Sequence, residues 1–568
     1  MQRKTKLHIQ SHSSAAPCGR LATVVKRVES VVSKRAFYQS KKVLVIEDYE
    51  QVIAYMKSML ALIGFDHVIV ARNAETAMSA CRKTDFDFIL CDYNLGIGRD
   101  GYQLFEALKA EHCLKHSCCF IVVSGERHRQ AVYGMIEFLP DDYLLKPFSY
   151  AELERRIGRA FQVKQALKYA YQLIAEENFP DAIQACDVAL EQYPVHHTYT
   201  QRLKGELLVK VGRYQEAEAL YTEVLAFREL PWAKLGIAVA KGYQEQDSEA
   251  EDMLIELVGQ PETKIEALDW LTRLYLSQNK TEEAFNTVRV VAEASPKNYL
   301  RQHVLANLAV INNQPDLAVR VHSKLLEAAK YSIYDTADNM LNYARAMIQN
   351  AQDLSVRDKR TVLGKVDYFL KDVKKRFHPT SYEHDKLVIE ARVAVLDGKT
   401  EKAKELLQES EELSLGKTLS PSALLDRARA YFETGNLAMS DHYMGSLNTL
   451  SQSADLYNKA LNMMFLSEQD KYSSKRSTMM ASHNAGMEAY SQGHYSEAIN
   501  YFIEAQKTMP ANASIAMNLL QAISQRGRLN EDLIYLAHKC MNVIDEAELA
   551  KDQRKRYSFI KEQIQQML

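Results

Sequence analysis

The sequence predicts an α/β domain with a doubly wound parallel sheet, followed by an all-α repeat solenoid. Glycine and proline are scarce, at 21 and 12 of 568 residues, and a chain so poor in turn formers is not a large all-β protein. Short apolar strands alternate with amphipathic helices over residues 41–162. Residues 163–568 lack strand signals and repeat internally, which is typical of stacked helical units.

Charge and cysteine content argue against several classes of protein. The 71 basic and 73 acidic residues give a formal net charge of −2, which argues against a chain that binds nucleic acid along its length. No apolar run approaches the ~18–20 residues of a membrane span. The eight cysteines include no CxxC pair and indicate neither a disulfide framework nor a zinc site, so we expect a reducing cytoplasm.

Residues 1–40 differ in composition from the rest of the chain. They contain eight basic residues and one acidic residue, a net charge of +7, together with many serines. We predict a basic, disordered tail. Two alternatives stay open: an organellar transit peptide has a similar composition, and these residues would also fit a stretch upstream of the true translation start.

Five short apolar segments predict the strands of the sheet, at residues 43–46, 67–71, 86–91, 119–123 and 143–145. Helical periodicity lies between them, near residues 50–62, 74–83, 101–110 and 128–137, and again after Ser149. Five such βα units predict a parallel sheet covered by helices on both faces. Ligands of these sheets bind at the carboxyl ends of the strands, so the residues after each strand are the first candidates for a site.

The second part of the chain repeats with a period close to 34 residues. Small residues recur at steps of 33 to 35, at Ala182, Ala217, Ala250, Ala284 and Ala318. Other residues recur in the same register: Gly212, Tyr214 and Ala217 return as Gly493, Tyr495 and Ala498, and Trp232, Leu235 and Gly236 open a further unit. Prolines at 194, 296 and 510 each lie twelve residues after the alanine of their unit, where a second helix should stop.

This pattern resembles the tetratricopeptide family, most clearly over residues 166–330 and 482–512. Ala403 and Ala438, 35 residues apart, indicate degenerate units over about 345–480. The region after residue 162 has room for about twelve units, of which the pattern supports eight or nine. The resemblance implies a curved solenoid whose concave face holds a peptide or partner protein.

Polar residues of particular types follow four of the five predicted strands. Glu47 and Asp48 follow the first strand, Asp92 the third, Ser124 the fourth and Lys146 the fifth. Three carboxylates in one cleft repel each other, so they need a hard cation such as Mg²⁺ to be ionised together. Such a site is suited to receiving a phosphoryl group on one carboxylate.

Residues 42–162 resemble the receiver domain of bacterial two-component response regulators, which has a flavodoxin-like fold. The resemblance implies that Asp92 is the phosphoacceptor. It also implies that Glu47, Asp48 and Asp92 bind Mg²⁺, with the backbone carbonyl of Asn94 completing the protein ligands. The loop after Asp92 departs from the family pattern because it lacks the usual proline and is one residue longer, which leaves its conformation open.

The same resemblance assigns four further roles. Ser124 is the switch hydroxyl that bonds the phosphoryl oxygens, Lys146 pairs with a phosphoryl oxygen, and Tyr143 holds the aromatic switch position. Asn94 and Glu126 line the path of the water that removes the phosphoryl group. Both are polar and of moderate size, which predicts a short-lived phosphoryl state.

These features predict a bacterial response regulator in the cytoplasm without a DNA-binding output. A histidine kinase or phosphotransfer protein is the expected donor, and the repeat array is expected to bind a protein or peptide partner. We expect no enzymatic activity beyond Mg²⁺-dependent self-phosphorylation and autodephosphorylation. The alternative is a constitutive scaffold whose receiver serves as a docking module. A phosphohydrolase is disfavoured because Asn94 stands where such enzymes need a second aspartate.

The proline-free stretch after Ser149 also raises the hypothesis that the last receiver helix continues into the first repeat helix.

Overall fold

The computed structural model of the chain describes residues 34–125, 140–352, 354–448, 456–527, 530–544, 546 and 549–567. These residues divide into two compact units. The first ends at His196 and the second begins at His197. None of the described helices combines the length and the apolar character needed to cross a membrane.

A parallel five-stranded sheet forms the centre of the first unit. Its strands are β1 (Lys42–Ile46), β2 (His67–Ala71), β3 (Phe88–Asp92), β4 (Cys119–Ser124) and β5 (Asp142–Leu145). They are arranged in the order β2-β1-β3-β4-β5, which confirms the predicted doubly wound topology. Every residue of β3 and β4 is buried, as expected for central strands that are covered on both faces.

Four helices follow strands of this sheet: α2 (Glu50–Ile63), α3 (Ala74–Lys83), α4 (Gly101–Ala110) and α5 (Tyr150–Ala166). Each of these agrees with its predicted position to within one residue. The start of α4 is fixed by a capping box in which Asp100 accepts a hydrogen bond from the backbone N–H of Gln103. The helix predicted near residues 128–137 lies outside the described residues.

The prediction of a disordered tail over residues 1–40 is wrong for residues 34–39. Residues Lys34–Gln39 form a short helix, α1, and Tyr38 is only 7% exposed. Its ring lies 4.8 Å from the ring of Phe65 and 6.4 Å from that of Phe88. The two aromatic residues of this segment, Phe37 and Tyr38, pack into the core of the first unit, which orders the backbone that carries them.

The structure has two consecutive helices where one continuous helix was hypothesised after Ser149. Helix α5 ends at Ala166, and α6 (Lys168–Ala175) begins after a single intervening residue, Leu167. A second helix, α7 (Phe179–Gln192), pairs with α6 as a hairpin. The first unit therefore extends past residue 162, where the sequence places the end of the α/β domain, and includes this hairpin.

The described elements of the second unit are helices. They are α8 (His197–Lys210), α9 (Tyr214–Phe227), α10 (Pro231–Tyr243), α11 (Asp247–Val258), α12 (Lys264–Ser277), α13 (Thr281–Ala294), α14 (Tyr299–Ile311), α15 (Pro315–Ala329), α16 (Ala337–Ala351), α17 (Val356–Arg376), α18 (Glu383–Leu396), α19 (Thr400–Ser414), α20 (Pro421–Glu433), α21 (Leu437–Asn448), α22 (Leu456–Ser491), α23 (Tyr495–Thr508), α24 (Ala513–Arg526), α25 (Glu531–Met541) and α26 (Lys551–Met567), with a short 3-10 turn at Pro379–Ser381. Successive helices pair from α8 to α19, α20 pairs with α21, and successive helices pair again from α22 to α25, which confirms the predicted all-α solenoid.

The repeated small residues occupy one equivalent position in their helical pairs. Ala182, Ala217, Ala250, Ala284 and Ala318 are each the fourth residue of the second helix of a pair, and all are at most 2% exposed. The three prolines that the repeat register marks each lie two residues after such a helix ends. The regular spacing of these alanines therefore indicates the positions where helices are in close contact.

The prediction that Ala438 is equivalent to Ala403 in the repeat is wrong. Ala403 is the fourth residue of α19 and fully buried, but Ala438 is the second residue of α21 and exposed. Ser440 holds the equivalent buried position, at 3% exposure, and donates a hydrogen bond to the carbonyl oxygen of Ala428. This repeat is two residues longer than the sequence interval indicated.

Glycine makes room for a buried aromatic ring between two helices of the second unit. A Cβ at Gly205 would lie 2.3 Å from Cζ of Tyr221, and one at Gly236 would lie 2.4 Å from its Cε2. The buried ring of Tyr221 therefore lies between α8 and α10 in a space that only glycine leaves open. This contact explains why the unit that begins at Trp232 contains a glycine inside a helix, where glycine is otherwise unfavourable.

Helix α22 begins within the degenerate region and spans 36 residues. Its first turns pack against α12 and α14, and Leu456 and Ala460 belong to the same buried apolar cluster as residues of those helices. Further along, Glu468 accepts a hydrogen bond of 2.6 Å from Arg429 of α20. The first half of α22 therefore contacts repeats that lie more than 100 residues earlier in the sequence.

Candidate functional site

The carboxyl ends of the strands carry the predicted polar residues to one edge of the sheet. Glu47 and Asp48 directly follow β1, and the backbone N–H of Glu47 donates to the carbonyl oxygen of Ala71, which extends the pairing with β2. Asp92 is the last residue of β3. The backbone N–H of Lys146 donates to the carbonyl oxygen of Ser124 over 2.8 Å, so the ends of β4 and β5 stay paired. Parallel pairing thus places all five residues at one edge.

Lys146 bridges two of the carboxylates. Its Nζ lies 2.6 Å from Oε2 of Glu47 and 2.8 Å from Oδ2 of Asp92. Burial alone would lower the pKa of Lys146, but the hydrogen bonds to Asp92 and Glu47 outweigh it and raise the pKa above its ordinary value. Burial raises the pKa of Glu47, and the charge of Asp92 adds to that rise, while Lys146 opposes it.

The three carboxylates converge closely enough to share a cation. One oxygen from each of Glu47, Asp48 and Asp92 lies within 4.8 Å of the others. Oδ1 of Asp48 is buried and has no hydrogen-bond partner, which is costly for a carboxylate oxygen unless a cation or water satisfies it. One lysine cannot neutralise three carboxylates, and oxygen donors are the ligands that Mg²⁺ prefers. These residues therefore fit a magnesium ion.

Two glycines shape the walls of this site. Gly96 adopts φ +76°, and a Cβ there would lie 3.2 Å from Oδ2 of Asp48. Gly101 begins α4, and a Cβ there would lie 2.2 Å from the carbonyl oxygen of Asp92. Its N–H also donates to the carbonyl oxygen of Tyr93 over 2.7 Å. The loop after β3 thus returns directly onto the backbone of Asp92, in the segment that lacks the usual proline.

The other predicted residues differ in burial and in their place on the sheet. Ser124 ends β4 and is 2% exposed. Tyr143 is half-buried within β5, where it pairs with Val122. Asn94 is exposed in the loop two residues after Asp92. Glu126 lies outside the described residues, so its predicted role stays a prediction. Direct side-chain contact thus joins Lys146 to Glu47 and Asp92.

A second charged group near β5 was not predicted from the sequence. Asp142, the first residue of β5, accepts hydrogen bonds from Arg156 and Arg159 of α5, over 2.6 and 2.9 Å. Asp141 accepts one from Lys164 over 2.7 Å. These bonds fasten the strand that leads to Lys146 onto α5. The available signal was the acidic pair just before an apolar strand, followed by basic residues on one helical face.

Comparison with known proteins finds two families in the chain. The family model for the response regulator receiver domain matches residues 43–158, and that for the tetratricopeptide repeat matches residues 483–537. The chain is 26% identical over 135 residues to the chemotaxis protein CheY-3 of Vibrio cholerae, which covers 24% of this chain and 98% of the relative. It is 27% identical over 121 residues to the chemotaxis protein CheY of Pseudomonas aeruginosa, covering 21% of this chain and 96% of that protein.

Solved receiver structures also resemble the first unit. A response regulator receiver domain protein from Methanospirillum hungatei is 22% identical, covers 22% of this chain and 96% of its own, and gives a TM-score of 0.20. The receiver domain of a Francisella response regulator is 24% identical, covers 22% of this chain and 98% of its own, and gives the same TM-score of 0.20. The two family-model matches show that the chain contains a receiver domain of the response regulator type and a tetratricopeptide-repeat region.

Proposed function

We propose that this chain, a receiver domain followed by tetratricopeptide repeats, is a response regulator that accepts a phosphoryl group on Asp92 and controls protein–protein interaction through its repeats. One observation supports this most: Asp92 lies in direct contact with Lys146 and within 4.8 Å of two further carboxylates. An isolated structural ion pair has no need of the additional acidic pair, whereas phosphoryl transfer to a carboxylate needs both kinds of charge.

The chemistry follows from the charges around Asp92. An oxygen of its carboxylate attacks the phosphorus of a phosphohistidine or a small phosphodonor. The new O–P bond forms as the bond to the leaving nitrogen or oxygen breaks, and the leaving group retains the electron pair and is protonated. When Mg²⁺ is bound by Glu47, Asp48 and Asp92, with the carbonyl of Asn94, it supplies charge neutralisation for the transferred group.

Lys146 and Ser124 complete the proposed acceptor. Lys146 pairs with Glu47 and Asp92 in this structure, and its ammonium is within reach of a phosphoryl oxygen on Asp92. The hydroxyl of Ser124 provides a hydrogen-bond donor at the neighbouring strand end. Tyr143 takes the aromatic switch role, and Asn94 and Glu126 tune the loss of the phosphoryl group to water.

The output is a binding function of the helical repeats. The proposed donor is a histidine kinase or phosphotransfer protein, and the proposed ligand of the repeats is a protein or peptide. We assign the chain no DNA-binding output and no catalysis beyond self-phosphorylation and autodephosphorylation. The proposed location is the bacterial cytoplasm.

Labelling by acetyl phosphate tests the acceptor. The full chain is incubated with acetyl phosphate and Mg²⁺, and phosphorylated protein is separated by phosphate-affinity electrophoresis. Asp92→Asn should abolish labelling because an amide does not form an acyl phosphate, and Asp48→Ala should nearly do so. Asp87→Asn is the matched control, since Asp87 precedes β3 at the opposite end and pairs with Lys41. Full labelling of the Asp92→Asn chain would refute the assignment.

Beryllofluoride tests the regulated output separately. Binding of partner proteins to the full chain is compared with and without beryllofluoride, a phosphoryl mimic, for the wild type and for Asp92→Asn. The proposal expects a change for the wild type alone. Equal binding in all four samples would instead support the constitutive scaffold.

A further inference from the structure

A cavity of about 180 Å³ lies inside the second unit, where α10, α11, α12 and α22 meet. Its walls are largely apolar and aromatic; they include Val239, Tyr243, Leu254, Trp270 and Leu274. The rings of Tyr243 and Trp270 meet edge to face, with centroids 5.7 Å apart. An apolar cavity of ~150 Å³ accommodates a molecule the size of benzene, so this one has room for one leucine or phenylalanine side chain.

Two cations also line the cavity. The guanidinium of Arg273 lies over the ring of Trp270, 4.8 Å from its centroid, and Lys459 comes from α22. Both side chains are half-buried. Burial lowers the pKa of Lys459, and the nearby charge of Arg273 lowers it further. Neither cation has a carboxylate partner among the described residues.

Two buried cations of the same unit are paired, whereas Arg273 and Lys459 are half-buried and have no carboxylate partner in the part of the chain that the structure describes. Arg301 pairs with Asp269 over 2.6 Å, and Arg392 pairs with Asp426 over the same distance. Cations withdrawn from water are generally paired, because desolvation is costly without an opposite charge. Two cations that lack a carboxylate partner beside an apolar cavity are complementary to a ligand that carries an anionic group next to an apolar group.

Helix α22 holds Lys459 in place. Leu456 is 8% exposed and Ala460 fully buried, and both pack with residues of α12 and α14. The ring of Tyr457 meets that of His303 edge to face, with centroids 5.7 Å apart. The packing of α22 therefore places Lys459 beside Arg273, although the two residues are 186 positions apart in the sequence.

We propose that this cavity anchors an acidic segment of a partner protein: one apolar side chain fills the space against Trp270, and an adjacent carboxylate pairs with Arg273 and Lys459. The proposal rests on the proposed function, because it names the class of partner that the repeats bind. A nucleic acid is a poorer fit, because two cations on a chain of net charge −2 neutralise few phosphates.

Fluorescence anisotropy with defined peptides tests the proposal on the full chain. The probe is a short fluorescein-labelled peptide of glutamate and serine with one central leucine. Two matched peptides replace the leucine by serine or every glutamate by glutamine. The leucine-containing acidic peptide should bind most tightly, by about tenfold over either matched peptide, and its affinity should fall as salt is raised.

Variants of the chain locate the binding. Arg273→Ala and Lys459→Ala should each weaken binding of the acidic leucine peptide about tenfold. Gly242→Leu should block it by filling the cavity. Gly242→Ala is the matched control, because its Cβ would make only ordinary contacts of 3.8 and 3.9 Å with Ala250 and Leu274. Lys264→Ala removes an exposed cation from α12 outside the cavity and should leave affinity unchanged.

Three results would overturn the proposal: no binding of the acidic leucine peptide at millimolar concentration, equal binding by both charge variants and the wild type, or tighter binding of a single-stranded oligonucleotide at the same residues. Circular dichroism confirms that each variant is folded. Peptide binding is measured without a phosphodonor, and phosphoryl labelling is measured without the peptide. Failure of peptide binding is therefore separate from failure of phosphoryl labelling.

Discussion

Nζ of Lys146 lies 2.8 Å from Oδ2 of Asp92, although the two residues are 54 positions apart in the sequence. The parallel pairing of β3, β4 and β5 produces this contact, because the strands end at one edge of the sheet. The lysine contacts one oxygen of the acceptor and one of Glu47, and oxygens of Glu47 and Asp48 lie within 4.8 Å of an oxygen of Asp92, close enough to share a cation. Asp92 is thus oriented by charges of both signs.

The approach of Gly101 to Asp92 predicts a steric effect on the acceptor. In Gly101→Ala, the added Cβ would meet the carbonyl oxygen of Asp92 at 2.2 Å, so the backbone of one of them must move. We expect a loss of about 1–3 kcal/mol in the free energy of unfolding and slower labelling by acetyl phosphate. Gly158→Ala is the control: its Cβ would make an ordinary contact of 3.7 Å with the Tyr38 hydroxyl, and labelling should be unchanged. Normal labelling of Gly101→Ala would show that this contact does not position Asp92.

The exposed side chain of Asn94 predicts the lifetime of the phosphoryl group. Asn94→Arg should slow the loss of phosphate from Asp92 severalfold, because a long cationic side chain would obstruct the approach of water. Glu126→Tyr should act in the same direction. Ile97→Arg introduces the same charge at a 98% exposed position in the same loop and should leave the decay unchanged. The decay is followed in Mg²⁺ after the phosphodonor is removed; equal decay of all variants would exclude control by water access.

The packing of Tyr38 predicts that the N-terminal helix stabilises the first unit. Tyr38→Ala should lower the free energy of unfolding by about 3 kcal/mol, because a 7% exposed aromatic side chain is lost from contact with Phe65 and Phe88. Deleting residues 1–40 should lower the Tm by several degrees, and deleting residues 1–33 should lower it less. Thermal unfolding followed by circular dichroism measures all three; an unchanged Tm for Tyr38→Ala would contradict the observed packing.

Buried ion pairs of the second unit predict a pH dependence of stability. Burial alone would raise the pKa of Asp385, but the hydrogen bond from His384 and the charges of Arg345 and Arg427 outweigh it, so the pKa lies well below its ordinary value. The folded chain therefore keeps this carboxylate ionised where the unfolded chain binds a proton. Its stabilising contribution is complete above the unfolded pKa of about 3.9 and is lost as the pH falls through the lower folded pKa.

Asp385→Asn measures this contribution. At pH 7 it should cost about 3 kcal/mol, because Arg345 and Arg427 lose a buried partner, and the difference from the wild type should shrink as the pH falls below 4. Asp367→Asn is the control, since its pair with Lys371 is largely exposed and should contribute less than about 0.5 kcal/mol at any pH. A difference for Asp385→Asn that is constant from pH 7 to pH 2 would contradict the ion-pair explanation.

Features that depend on local sequence patterns were predicted correctly, and features that depend on contacts between distant parts of the sequence were missed. Strands, helices and the order of Glu47, Asp92 and Lys146 depend on local periodicity and parallel topology, and these were predictable. The ordering of Tyr38 was not, because six residues are too few to show a helical period and the partners Phe65 and Phe88 are distant in sequence. The exposed Ala438 was misassigned because a two-residue change in repeat length leaves no mark in composition.

Chemical mapping of the acyl phosphate tests the central claim most directly. The chain is phosphorylated with acetyl phosphate and Mg²⁺, reduced with borohydride to convert the modified aspartate to homoserine, and digested for mass spectrometry. The account predicts homoserine at position 92, dependent on phosphodonor and on Mg²⁺. Homoserine at Asp48 or at another carboxylate instead, or none at all from a chain shown to be folded, would contradict the assignment of Asp92 as the phosphoryl acceptor.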